Sequence, residues 1–201
     1  MAKWGSQVSK VVYALWAILI GAVAVLVTLP FPVVGDFWDD DSDAAKIAVI
    51  DEDRLQFALV FGLSALGLVA VGIGLFMLGT AISPMESSRG RAIAAQVGAW
   101  LGLVAAANGL SELLHALFAT PEFYVDSALR AVMIVVGGIS LLLAMVILGV
   151  LAWSAPPPKW TAVVLVLGGL ASVIPDVAYV ALAIFAAANL VALRREPQPS
   201  K

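Results

Sequence analysis

The sequence predicts an all-α fold: a polytopic transmembrane bundle of six helices with a cytoplasmic N-terminus, five helices being the alternative. Three observations carry this. Hydrophobic residues make up 62% of the chain, against roughly half in a soluble domain, and the mean hydropathy is +1.03. Charged residues make up only 12%, too few to solvate a globule of 201 residues. The apolar residues also fall in long runs separated by short polar ones, so lipid rather than water must be their solvent. No polar stretch is long enough to hold a soluble domain, and residues 1–201 read as a single transmembrane domain.

Composition also excludes several function classes. The chain has no cysteine, which removes disulfides, thiolate metal sites, iron–sulfur clusters and cysteine nucleophiles. The net charge is −3, and no basic face points to nucleic acid as a partner. No nucleotide loop or cofactor motif is present, so no cofactor is expected.

A helix needs about 20 apolar residues to cross a hydrocarbon core ~30 Å thick. The first such run is 11–29, ended by Pro30 and Pro32. A basic stretch with Lys3 and Lys10 precedes it, as in a secretory signal, but the run is long for a signal core and reads as a transmembrane helix. An acidic outer loop is expected over 30–54. The second span is about 55–82, closed by Ser83-Pro84, and the third about 92–118, closed by Thr120-Pro121. The fourth is about 127–153, ended by Pro156, Pro157 and Pro158.

The last apolar stretch, 160–193, is too long for one crossing, since a continuous helix would extend ~51 Å. Pro175 and Asp176 interrupt it near its centre, where a proline and a charge are costly in mid-membrane but ordinary at a turn. A hairpin of two short helices, about 160–174 and 176–193, is therefore expected, with Asp176 capping the second. The distribution of lysine and arginine favours six spans over five. Six spans leave eight basic residues inside and three outside, whereas five spans leave five and six. Trp4, Trp153 and Trp160 then fall at the inner interface and Trp38 at the outer one.

The acidic loop carries eight acids and two bases between residues 36 and 54. Asp39, Asp40, Asp41 and Asp43 are weak candidates for a divalent-cation site, but they lack the glycine and terminal glutamate of an EF-hand. A solvated surface loop is the favoured reading, with 44–50 apolar enough to lie on the membrane or the bundle.

The third span alone carries several strongly polar residues. Asn108, Ser111, Glu112 and His115 fall within an arc about 100° wide. Ala94, Gly98, Gly102 and Ala106 form a small-residue ladder that lets another helix approach closely, which argues for a central helix. Arg130, at the start of the fourth span, lies at the depth of Glu112. Two readings follow: a structural Glu112–Arg130 clamp capped by His115, or an ion, proton or solute path using the same cluster. One histidine cannot build a three-ligand metal site, and Ser111 has no oxyanion hole, so an enzyme is not expected. The leading expectation is a non-enzymatic accessory subunit or scaffold, embedded in the lipid bilayer with a membrane-protein partner or as a homo-oligomer. A small transporter or channel is the alternative.

Overall fold

The computed structural model describes residues 2–39, 42–86, 88–153, 159–171 and 175–195, and these are helical almost throughout. In chain order the helices are α1 (Ala2–Thr28), α2 (Pro32–Asp39), α3 (Asp43–Glu52), α4 (Arg54–Ile82), α5 (Arg89–Phe118), α6 (Pro121–Asp126), α7 (Ala128–Ala152), α8 (Lys159–Leu170) and α9 (Pro175–Arg195). Five of them, α1, α4, α5, α7 and α9, are long and apolar enough to cross a membrane. With twelve residues, α8 extends only ~18 Å.

Local chemistry sets the helix limits. Asp53 caps α4 by accepting from the Gln56 amide at 2.9 Å, and Ser88 accepts from the Arg91 amide at the start of α5. Thr120 and Ser127 do the same for α6 and α7. Charged side chains close two of the far ends. Arg54 donates to the Ala119 carbonyl beyond α5, and Arg91, paired with Glu86 at 2.6 Å, donates to the Leu151 carbonyl of α7 at 3.3 Å.

The helices pack as a closed ring, α1–α4–α5–α7–α8–α9 and back to α1. Glycines fix the register, because a Cβ at these positions would meet the neighbouring backbone. Gly21 faces Gly67 and Val71, Gly72 faces Gly102 and Ala106, and Gly149 faces Ala162 and Val166. The pairings run antiparallel throughout, so the N-terminus of α1 and the C-terminus of α9 lie at the same end. The expected ladder is used inside this ring: Gly98 packs on Leu148 of α7, while Gly102 packs on Gly72 and Leu75 of α4. Ala106 is buried and Ala94 half-buried.

Two features depart from the sequence reading. The segment expected as a solvated acidic loop folds largely into α2 and α3. Val33, Phe37 and Ile50 are buried there in a second hydrophobic cluster with Phe57, Ala116 and Tyr124, capping one end of the bundle. Their apolar side chains have somewhere to go, which the run of aspartates conceals. The second departure is the reach of the terminal hairpin. A bend at Pro175 matches the start of α9, and residues 172–174 lie outside the described residues. Gly168 lies against Ala181, and Asn189 Nδ2 donates to Thr161 Oγ1 at 3.2 Å, so α8 and α9 run antiparallel. Gly169, near the tip, packs on Met145, Val146 and the Leu142 carbonyl, about halfway along α7. Toward the capped end, α1 and α7 therefore continue without α8 and α9 between them.

Candidate functional site

The space left above the hairpin tip is a cavity of about 660 Å³. Val25 and Thr28 of α1, with Leu29 just beyond it, wall it on one side, and Ile134, Gly137, Gly138 and Leu141 of α7 on the other. Ser64 and Leu68 of α4 contribute a third side, and Phe61 and Val34 line it toward the capped end. The charged and amide side chains reaching it are those of Asn108 and Glu112 of α5, Arg130 of α7 and Asp176 of α9. Two residues expected at unrelated places in the sequence, Glu112 and Asp176, thus line one cavity.

Glu112 and Arg130 meet in an ion pair, with Arg130 Nε donating to Glu112 Oε2 at 3.0 Å. All three guanidinium nitrogens donate. Its Nη1 donates to the Tyr124 carbonyl at 3.3 Å and its Nη2 to the Tyr124 hydroxyl at 2.9 Å. It also lies 3.8 Å from the centre of the Tyr124 ring. The Tyr124 hydroxyl reaches Glu112 Oε2 at 3.5 Å, the limit of a hydrogen bond. Burial raises the Tyr124 phenol above its ordinary value of 10.0, against the lowering effect of Arg130.

The local fold explains this assembly. Thr120 caps α6 and Pro121 occupies its first turn. The six residues of α6 then carry Tyr124 over Arg130, itself in the first turn of α7. Tyr124 is fixed from the other side by an aromatic cluster, with Phe57 at 5.0 Å and 88° and Phe37 at 5.8 Å and 75°.

His115 does not cap the pair. Its Nδ1 turns back on its own helix, donating to the Ser111 carbonyl at 2.7 Å, and its ring stacks on Phe123 at 5.8 Å and 6°. Ser111 Oγ lies 3.4 Å from the same nitrogen. Tyr124 takes the place the sequence reading gave to His115. Its aromatic character and its position six residues before Arg130 offered no signal of that role.

Asn108 is buried against Gly137, where a Cβ would collide with the Asn108 side chain. Two acceptors on residues that line the cavity, Asn108 Oδ1 and Glu112 Oε1, are buried without a hydrogen-bond partner. They lie one helical turn apart on α5. Asp176 occupies the first turn of α9, where a carboxylate offsets the helix dipole, and its side chain is exposed at the cavity.

Of the acidic cluster, Asp40 and Asp41 lie outside the described residues. Asp39 ends α2, and Asp43 is exposed in the first turn of α3 behind its cap Ser42. Among the described residues no group of three histidine, aspartate or glutamate side chains is placed to hold a metal ion.

Comparisons with protein families, curated proteins and solved structures give no match to this chain. Its class is defined by the fold alone: an all-helical bundle of membrane-protein type, with five apolar helices long enough to span a membrane.

Proposed function

We propose that this chain is a multi-pass cell-membrane protein that binds a small solute in the cavity beside Glu112 and Arg130, as a small transporter does. The observation that carries the reading is the cavity itself, about 660 Å³ in volume, reaching a buried ion pair and Asp176. Binding sites of that size and largely apolar lining are typical for small molecules. Transporter sites lie near the bilayer midplane beside interrupted helices, and the half-height tip of the α8–α9 hairpin resembles one. The lysine and arginine distribution favours a cytoplasmic location for both ends of the ring that begin α1 and finish α9. The capped end, with its acidic helices, then faces outward.

The accessory-subunit reading rests on small-residue notches, the scarcity of buried polar groups and the lack of site chemistry. The notches on α5 are filled by α4 and α7, which leaves exposed apolar faces that lipid covers equally well. The two readings separate experimentally. The chain has no cysteine, so Ser64→Cys in the cavity wall introduces a single reactive thiol. In sealed vesicles it should react with a membrane-impermeant thiol reagent from the capped side only, whereas Ala105→Cys, buried in the core, should not react. Failure of Ser64→Cys to react from either side would remove the solute-binding reading. Co-purification of a stoichiometric membrane partner together with that failure would restore the accessory role.

A further inference from the structure

The open side of the cavity decides what can enter it. α4 and α5 form its back, α1 and α7 its flanks and α9 its floor, and α2 lines it toward the capped end. Nothing stands opposite α4 and α5, because the hairpin stops below. Among the described residues α1 and α7 form no packed interface with one another. Gly35 and Gly138 mark this opening: both line the cavity, both are exposed, and neither has anything within 4 Å of a Cβ. The flanking surfaces beside it are exposed and apolar, with Val23 and Val27 on α1 and Val135 and Ile139 on α7. In a membrane such surfaces meet lipid, so the cavity opens sideways into the hydrocarbon.

Its interior matches that neighbour. Val25, Leu29, Val60, Leu68, Ile134 and Leu141 supply an apolar lining. The acceptors of α5 do not face it, since Asn108 Oδ1 and Glu112 Oε1 are buried and Arg130 holds Glu112 Oε2. Asp176 is the exception, confined to the floor in the first turn of α9, where the helix N-terminus offsets part of its charge. Along α7 the lining runs from Arg130 to Leu141, ~17 Å of helix. One leaflet supplies about half of a ~30 Å hydrocarbon core, so the opening has the height of a single leaflet. A hydrocarbon chain covers these walls and requires no hydrogen bond from them.

We infer that a phospholipid acyl chain of the leaflet at the capped end enters the cavity sideways, between α1 and α7. The inference rests on the membrane reading above and makes the bilayer a phase from which the cavity is filled. The chain lies above Asp176, and its headgroup stays outside at the lipid–water boundary.

The test uses the full chain with Ser64→Cys, labelled with bimane in detergent and reconstituted into phosphatidylcholine nanodiscs. Phosphatidylcholine carrying a nitroxide midway along one chain should quench this label nearly as strongly as one on Leu66→Cys, at the lipid-facing surface of the same helix. Gly138→Phe fills the opening without displacing packed atoms, and should roughly halve the quenching at Ser64→Cys while leaving Leu66→Cys unchanged. Gly35→Phe, on α2, does the same should Gly138→Phe fail to fold. Quenching that neither blocking variant reduces acts through the wall and would overturn the inference. So would loss of quenching in Asp176→Asn, which changes the charge of the floor but not its bulk. Iodide in the water separates this inference from the solute-binding reading. Quenching by iodide without quenching by the lipid nitroxide overturns the acyl chain alone, whereas quenching by neither overturns both.

Discussion

Gly137 of α7 lies directly against Asn108 of α5, so closely that any side chain there would occupy the space of the asparagine. The glycine next to it, Gly138, faces the open cavity and has nothing within reach of a Cβ. The adjacent pair therefore separates two roles that the sequence presents as one. Gly137→Ala should displace Asn108 and cost about 1–3 kcal/mol. Gly138→Ala should be neutral or stabilising by up to about 1 kcal/mol, through helix propensity alone. Thermal unfolding in detergent distinguishes them, and equal destabilisation by both would contradict the packing.

The Glu112–Arg130 pair lends itself to a double-mutant cycle. Glu112→Gln or Arg130→Met alone should destabilise by about 3 kcal/mol, because each leaves the partner charge buried. Replacing both should recover much of the loss. Additive losses would mean that the two charges are not coupled, despite their 3.0 Å separation.

Tyr124 gives the bundle an alkaline limit. Its folded phenol titrates above the ordinary 10.0 because it is buried, with the Arg130 charge opposing the shift. Below that value both folded and unfolded phenols keep their proton, so this group adds no pH dependence. Above about pH 10 the unfolded phenol releases its proton while the folded one holds it, and stability falls as pH rises. Tyr124→Phe should show a shallower decline above pH 10, together with a uniform loss of about 1 kcal/mol from missing hydrogen bonds. Parallel pH curves for the two proteins would argue against a buried phenol.

The antiparallel ring fixes which loops share a side. Single cysteines at Gly90, Lys159 and Arg194 should label from one face of sealed vesicles, and cysteines at Glu52 and Glu122 from the other. Labelling of Lys159→Cys and Arg194→Cys from opposite faces would mean that the α8–α9 segment crosses once rather than turning back.

Much of this fold was legible in the sequence, because hydrophobic run length and proline position act locally. The five long helices end close to the expected prolines and caps, and Pro175 marks the start of α9. The Glu112–Arg130 contact was legible too, since the two residues sit at matching heights on consecutive antiparallel helices. Less was legible wherever a side-chain torsion or a distant surface decides. A helical wheel puts His115 beside Glu112, but the imidazole finds an acceptor sooner in the Ser111 carbonyl of its own helix. The aspartates around residues 36–43 read as solvated, although Val33 and Phe37, four residues apart, form a buried stripe on α2. The placement of Asp176 at the cavity depends on where the hairpin tip stops against α7. That is a matter of how Gly169 seats on Leu142 and Met145, which no local pattern encodes.

The half-height hairpin divides the molecule mechanically. One end is a hoop of six mutually braced helices around a single large core, and deforming it means breaking packing on every side at once. The other end has four walls, a separate and smaller aromatic plug, and a void where two more helices would have stood. Compliance is thereby concentrated in one half. Of the short helices only α2 lines the cavity, through Val34 and Gly35, so a change in its width falls to the plug rather than to the braced half.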